Sequence, residues 1–232
     1  MLTVACFRWR NTGQGFVLPA QRVSRYPVEW VYKLRDGVAR HYSQPHRFVC
    51  ITDEPLDGIE CLPLWPDLAE LGGCYRRLKL FDPDMDLLGD RFVALDLDAV
   101  IVGSLDPLFD RAEDFVINAH TGKMPPQQLY NGSMILMNRG ARPQVWREFD
   151  TEKSPQKLRG DHRVIGTDQA WIRLMLGENE ARFTGHDGVY DVRHSPGISR
   201  RLPDNARIVF FSGPRDPQTE YNKVPWIKEH WT

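Results

Sequence analysis

The stretch FVALDLDAVIVGSLDPLF, Phe92 to Phe109, sets two carboxylates in an otherwise apolar run. RFVAL over 91–95 reads as a buried strand, and AVIV over 99–102 continues extended. Residues two apart in an extended chain point to the same side. Asp96 and Asp98 therefore aim two carboxylates at one point near a strand end. Unpaired, they repel each other and lose hydration. A divalent cation removes that penalty, and oxygen ligands favour Mg²⁺ or Mn²⁺. Such a cation commonly holds a diphosphate and stabilises it as a leaving group. Helix caps and surface salt bridges are the plainer use of the same residues, and spacing alone leaves both readings open. Asp-x-Asp recurs in DPDMD (82–86), but there a proline-broken polar segment marks solvated turn residues.

Working outward, short apolar runs alternate with helical patterns. TVACF (3–7), RFVCIT (47–52) and IECLPL (59–64) read as strands. YPVEWVYKLRDGVARHY (26–42) carries apolar residues at Val28, Val31, Leu34, Val38 and Tyr42, which predicts an amphipathic helix. YRRLKLF (75–81) reads as a helix stopped by Asp82-Pro83. Asp106-Pro107 reads as an N-cap followed by Pro at the first helical position. DFVINAH (114–120), SMILMN (133–138) and RIVFFS (207–212) read as strands, and ARPQVWREF (141–149) and GTDQAWIRLML (166–176) as helices. Segments 151–165 and 186–206 are polar and turn-rich, fitting either loops over a site or surface connections. The pattern predicts a single α/β domain over 1–232, a mixed central sheet flanked by helices.

Composition narrows the partners. The chain has 232 residues, a formal net charge of −1, 41% hydrophobic residues and 26% charged residues. No basic tract is dense enough to suggest nucleic acid. No apolar run approaches the ~20 residues of a membrane span, and MLTVACFRWR lacks the apolar core of a signal peptide. A cytoplasmic protein is the expectation, with peripheral membrane attachment left open. Cys6, Cys50, Cys61 and Cys74 form no C-x-x-C pair and read as reduced, mostly buried thiols. Trp9, Trp65, Trp171, Trp226 and Trp231 read as packing residues that could also stack on sugars or bases. VPWIKEHWT at 224–232 reads as a packed helix or a membrane-surface contact.

The run around Asp96 and Asp98 resembles the Asp-x-Asp region of family 8 glycosyltransferases and their bacterial relatives, which use the GT-A fold. YRRLKLF, NGSMILMN (131–138), GTDQAWI (166–172) and RIVFFSGPRDP (207–217) resemble four further landmarks of that family, in its order. The resemblance covers about residues 75–217. It implies a Rossmann-like sheet whose residues 1–110 mainly bind nucleotide and whose residues 111–232 mainly face sugar and acceptor. It further implies transfer of a hexosyl group, with retention, from a nucleoside-diphosphate sugar, UDP-linked, to a glycan or other hydroxyl acceptor, as in polysaccharide biosynthesis.

By the same resemblance, Asp96 contacts ribose and metal, and Asp98 binds the metal, Mn²⁺ or Mg²⁺. Arg77 holds donor sugar or phosphate, Asn131 and Asp168 bind the sugar, and Gln169 lies near the anomeric carbon. Gly213 and Arg215 belong to the closing loop that faces the nucleotide. Thr52 and Asp53 are candidates for base or ribose contact. The chain departs from the family in one place. A histidine metal ligand is expected at 210 or 212, and Phe210 and Ser212 stand there. The lysine that pairs with the diphosphate is replaced by Asp216, beside Arg215. Ser212, a water, His186 or His194 are the candidates to complete the site.

Two other readings compete. A sugar-nucleotide nucleotidyltransferase also uses an α/β fold with metal-binding aspartates, but NTGQGFVLPAQR (11–22) lacks a full Gly-rich phosphate loop. A non-catalytic nucleotide- or carbohydrate-binding homologue fits the missing histidine and is opposed by the intact aspartate pair.

Overall fold

The chain is described by a computed structural model over residues 1–10, 26–68, 71–120, 129–160 and 167–232, the side chains of 159 and 160 excepted. The glycine-containing segment 11–22 lies outside the described residues.

Strand β1 (Leu2–Arg8) is buried along its whole length and occupies the middle of the main sheet. Its alternate residues feed two cores: Val4 and Cys6 face one side, Ala5 and Phe7 the other. A strand covered on both faces reads as an unbroken apolar run, as β1 does. Helix α1 (Val28–His41) covers the first face through Trp30, Val31, Leu34 and Val38. It leads into β2 (His46–Thr52), parallel to β1, and β3 (Glu60–Pro63), parallel to β2. The chain then crosses back to β4 (Arg91–Leu95), which pairs parallel on the other flank of β1. That reversal makes a topological switch point, and the crevice lies at the carboxyl ends of these strands, beyond Arg8, Thr52 and Leu95.

Strand β5 (Ala99–Ile101) leaves the main sheet for a small second one. Helix α2 (Asp106–Phe109) follows, then β6 (Phe115–Ala119) and β7 (Tyr130–Asn138), the latter antiparallel to both β4 and β6. One-turn α3 (Gln144–Arg147), α4 (Lys153–Gly160) and α5 (Asp168–Leu176) precede β8 (Ala181–Phe183), which completes the seven-stranded order β3-β2-β1-β4-β7-β6-β8. Strands β9 (Val189–Asp191) and β10 (Ile208–Phe210) join β5 in the order β5-β10-β9. Helices α6 (Pro217–Glu220) and α7 (Pro225–His230) end the fold. The predicted mixed sheet flanked by helices is thus the observed architecture.

Several local expectations change. Residues Tyr75–Phe81 form a 3₁₀ helix, not an α-helix, and bury Tyr75, Arg76, Arg77, Leu78, Leu80 and Phe81. The tighter winding turns two adjacent arginines inward, which an amphipathic α-helix would not do. Asp106 is the first helical residue and Leu105 the cap. The Asp106 carboxylate instead accepts the backbone N–H of Ser43 at 2.8 Å. Strand β7 begins at Tyr130, so Asn131 lies in the strand, at the register shift between Ile117 and Asn118 of β6. Segment 151–165 contains α4. The C-terminal helix is packed: Trp226 and Ile227 are buried, and the Trp226 indole N–H donates to the Ile198 carbonyl at 2.8 Å. Trp65, Trp171 and Trp231 are buried as well. All four cysteines are free, Cys6 and Cys50 buried. Among the described residues, no helix is long and apolar enough to cross a membrane.

Candidate active site

The crevice is built around Arg77. Its side chain is buried, and its Nη1 donates to Asp96 Oδ1 at 2.8 Å and to the Gly132 carbonyl. Its Nε lies 3.1 Å from Asp168 Oδ2. That contact is ionic without being a hydrogen bond, because the N–H is not aimed along it and neither atom has another partner. Gly132 makes the arrangement possible. A Cβ there would lie 2.9 Å from Asp168 Oδ2 and 3.0 Å from Arg77 Nη1. The Gln169 side-chain oxygen accepts from Gly132 N at 3.4 Å, and Asn131 Oδ1 accepts from Ser133 N at 2.9 Å. Residues from four distant landmarks therefore meet where β4, β7 and α5 come together. Arg77 pairs with Asp96 and Asp168, across the fold, rather than with the nearby Asp82 or Asp84. Asp82 pairs with Lys79 instead, and Asp84 and Asp86 are exposed turn residues.

The two aspartates flank Leu97, which is buried, while both of them reach water. Burial raises the Asp96 carboxyl above its ordinary value; Arg77 opposes the rise and Asp168 adds to it. Protein crowds Asp96 on most sides, yet 32% of its side-chain surface stays open. Asp168, on α5 behind Thr167, is likewise raised by burial and held back by Arg77. The Arg77 guanidinium resists its own burial and is held charged by Asp168 and Asp96. Asp98 is different. Burial, then the charges of Asp96 and Asp191, push it well above the carboxylate range, and Arg77 offsets this least. Among the described residues no cationic side chain pairs with it.

Tyr26 was not singled out by its sequence, and its phenol feels the charge of this pair. Asp98 is the main influence pushing its phenol up, ahead of burial and Asp96. The ring stacks on Trp30 at 4.8 Å between centroids and remains 43% exposed. Arg8, at the end of β1, holds it by donating to the Tyr26 carbonyl at 2.8 Å and pairs with Glu54. Thr52 stands beside Arg8 in register; its Oγ1 accepts from Glu54 N at 3.3 Å. Asp53 is exposed and accepts from Arg10 N at 3.1 Å. Both lie at the strand end where a nucleotide enters this kind of crevice.

The closing segment explains its own departures. Phe210 is a core residue, 1% exposed, and cannot ligate. Ser212 Oγ is buried without a partner. Asp216 caps α6, accepting from Thr219 N at 2.7 Å, so its carboxylate serves a helix end where the resemblance expects a lysine. Gly213, at φ +83°, and Arg215 are exposed. His186 precedes β9, at the end of the small sheet opposite to Asp98. His194 packs edge-on against His120 at 5.1 Å. An open depression of about 650 Å³ between Tyr190 and Asp204 is lined by none of the expected site residues.

An oxygen-ligated dication fits what is present. Asp98 is an uncompensated carboxylate beside Asp96, and buried Asp191 has an oxygen, Oδ2, without any partner. Among the described residues no three His, Cys, Asp or Glu converge as a complete ligand set. Mg²⁺ or Mn²⁺ can be held by one or two carboxylates and completed by water and substrate phosphate, and here Asp96 and Asp98 would be those carboxylates.

No protein-family model matches the chain, and no curated protein matches it. The fold nevertheless places it in a known structural class: it is that of solved glycosyltransferases of the GT-A type. The chain is similar over 98% of its length to galactosyltransferase LgtC in complex with donor and acceptor sugar analogs, at TM-score 0.63 and 16% identity, covering 93% of that chain. An active-site mutant of LgtC matches at TM-score 0.63 and 15% identity. The glycosyltransferase GlyE of Streptococcus pneumoniae TIGR4 matches over 99% of this chain and 59% of its own, at TM-score 0.63 and 12% identity. At such identities the likeness establishes the fold.

Proposed function

We propose that this chain is a metal-assisted glycosyltransferase, family 8-like, that moves a hexosyl group from a nucleoside-diphosphate sugar to an acceptor hydroxyl. The observation that carries the reading is the convergence of Arg77, Asp96, Gly132, Asp168 and Gln169 at the crevice of a glycosyltransferase fold. Thr52, Asp53 and Tyr26 flank the nucleoside end. Asn131, Asp168 and Gln169 face the sugar. Asp96 and Asp98 hold Mn²⁺ or Mg²⁺, which when bound neutralises the departing diphosphate. Arg77, fixed by two carboxylates, holds Asp96 and Asp168 in place at the donor without reorganising. Gly213 and Arg215 lie on the diphosphate side. The donor is UDP-linked, in keeping with the family resemblance.

The barrier lies mainly in breaking the anomeric C–O bond as charge gathers on the diphosphate. The incoming hydroxyl gives its proton to the leaving phosphate oxygen on the same face, so configuration is retained. The Gln169 amide oxygen sits beside the anomeric carbon, where it steadies developing positive charge. No covalent carboxylate nucleophile is required.

A panel of nucleotide sugars, incubated with Mn²⁺ or Mg²⁺ and scored for release of the nucleoside diphosphate, tests this. One donor is cleaved by the wild type and not by Asp98→Ala. Pyrophosphorolysis to a nucleoside triphosphate would move the assignment to a nucleotidyltransferase. A second reading, binding without turnover, is favoured by the core position of Phe210 and the capping role of Asp216. It predicts saturable nucleotide-sugar binding with no product.

A further inference from the structure

The gap left by Phe210 and Ser212 has a carboxylate beside it, supplied by β9. Asp191 lies opposite Phe210 in the parallel β9–β10 register, and Ala99 lies opposite Phe210 on the antiparallel side. One rung of the small sheet thus links Asp191 to the residue that follows Asp98, and Phe211 N donates to the Asp98 carbonyl at 3.0 Å. Two strand spacings separate the two backbones by about 10 Å. The Asp191 charge is felt at Asp98 across that span, and two carboxylates so placed can share one hydrated cation.

Asp191 is only 4% exposed. Its Oδ1 accepts the Arg193 backbone N–H at 2.8 Å, while its Oδ2 is buried and has no partner. A buried carboxylate oxygen without a donor is costly and calls for an ion or an ordered water. Neighbouring cations do not answer it. Arg193 is exposed, and its guanidinium leans over Gly213, with Nη1 3.3 Å from where a Cβ would stand. Both ring nitrogens of His120 are buried without hydrogen bonds. Ser212 Oγ, just beyond the end of β10, is unpartnered too. Direct ligation by a third side chain is not formed among the described residues, which leaves a water-bridged role.

We infer that Asp191 is the third carboxylate of the Asp96–Asp98 cation site, acting through a cation-bound water in place of a histidine on the closing strand. This rests on the proposed cation role of Asp96 and Asp98, and it assigns a residue that the Asp-x-Asp pattern does not reach. Groups that orient a metal's bound ligands typically change affinity by about 10–100-fold when removed.

The test titrates Mn²⁺ alone into the purified chain, following the electron paramagnetic resonance signal of free Mn²⁺, for wild type, Asp98→Asn and Asp191→Asn. Each protein is also melted with and without Mn²⁺, and Asp191→Ser repeats the comparison with a different side chain. Asp98→Asn loses Mn²⁺ binding. Asp191→Asn weakens it about ten-fold or more, melts above wild type when metal-free, and gains less from added Mn²⁺. An Asp191→Asn protein with wild-type Mn²⁺ affinity, alongside a defective Asp98→Asn, overturns the Asp191 assignment and leaves the aspartate pair standing. A wild type that takes up no Mn²⁺ overturns both.

Discussion

Asp96 and Asp98 are two residues apart and live in opposite electrostatic settings. Asp96 shares Arg77 with Asp168, so the fold itself supplies its counter-charge. Asp98 feels the charges of Asp96 and Asp191 and in turn pushes up the phenol of Tyr26, and among the described residues no cationic side chain pairs with it. The first half of the motif is finished when the chain folds. The second half is left electrostatically incomplete, as a site awaiting a charged ligand would be. Removing charge from the two halves should therefore have opposite effects on stability, and that contrast can be broken experimentally.

The largest effect belongs to Arg77. Arg77→Met leaves Asp96 and Asp168 facing each other unpaired, and breaking a buried ion pair costs about 3–5 kcal/mol. For a chain of this size that lowers Tm by about 10 °C or more, readable by thermal or denaturant melting, with donor cleavage abolished. Gly132→Ala comes next. Its Cβ would stand 2.9 Å from Asp168 Oδ2 and 3.0 Å from Arg77 Nη1, and the forced shift costs about 1–3 kcal/mol. Its signature is a fall in kcat for donor cleavage larger than any change in Mn²⁺ affinity. Asp98→Asn points the other way. It removes an unpaired charge and raises metal-free stability by about 1 kcal/mol, while the Mn²⁺-induced rise in Tm disappears. A metal-free Asp98→Asn protein that melts below wild type would break the comparison.

The smallest effect is a slope. The folded Asp98 carboxyl lies well above its ordinary value, whereas in the unfolded chain it titrates near about 3.9. Between those points the folded state binds more protons than the unfolded one, so this contribution is present at acid pH and is lost as pH rises. Metal-free stability should fall between pH 4 and neutrality. Asp96 and Asp168 shift in the same direction, so Asp98→Asn makes the slope shallower without abolishing it. Denaturant midpoints across that range, in chelator, measure it.

Much of the fold was legible because its strands are continuous apolar runs. β1, β2 and β4 fall within a residue or two of where VACF, RFVCIT and RFVAL place them. Asp96 and Asp98 stood out as two carboxylates in an oily run, and the structure sets them in the connection between β4 and β5 rather than within a strand. The 3₁₀ winding of 75–81 was not, since a burial-driven turn has no period to read. Asp191 was hidden because β9 is three residues long, in a turn-rich segment, and acquires meaning only when β10 joins β9 and β5 in one sheet. Tyr26 reads as the start of a helix; its tie to Arg8, across eighteen residues of chain, has no signal in the sequence.

The most direct measurement is anomalous diffraction from a crystal grown with a nucleoside diphosphate and Mn²⁺. A single manganese peak touching Asp98, bridging to the diphosphate, with Arg77 still bound to Asp96 and Asp168, is the result this account predicts. Nucleotide in the crevice with no manganese at Asp98, or Asp98 turned away into a protein-only contact, would contradict it.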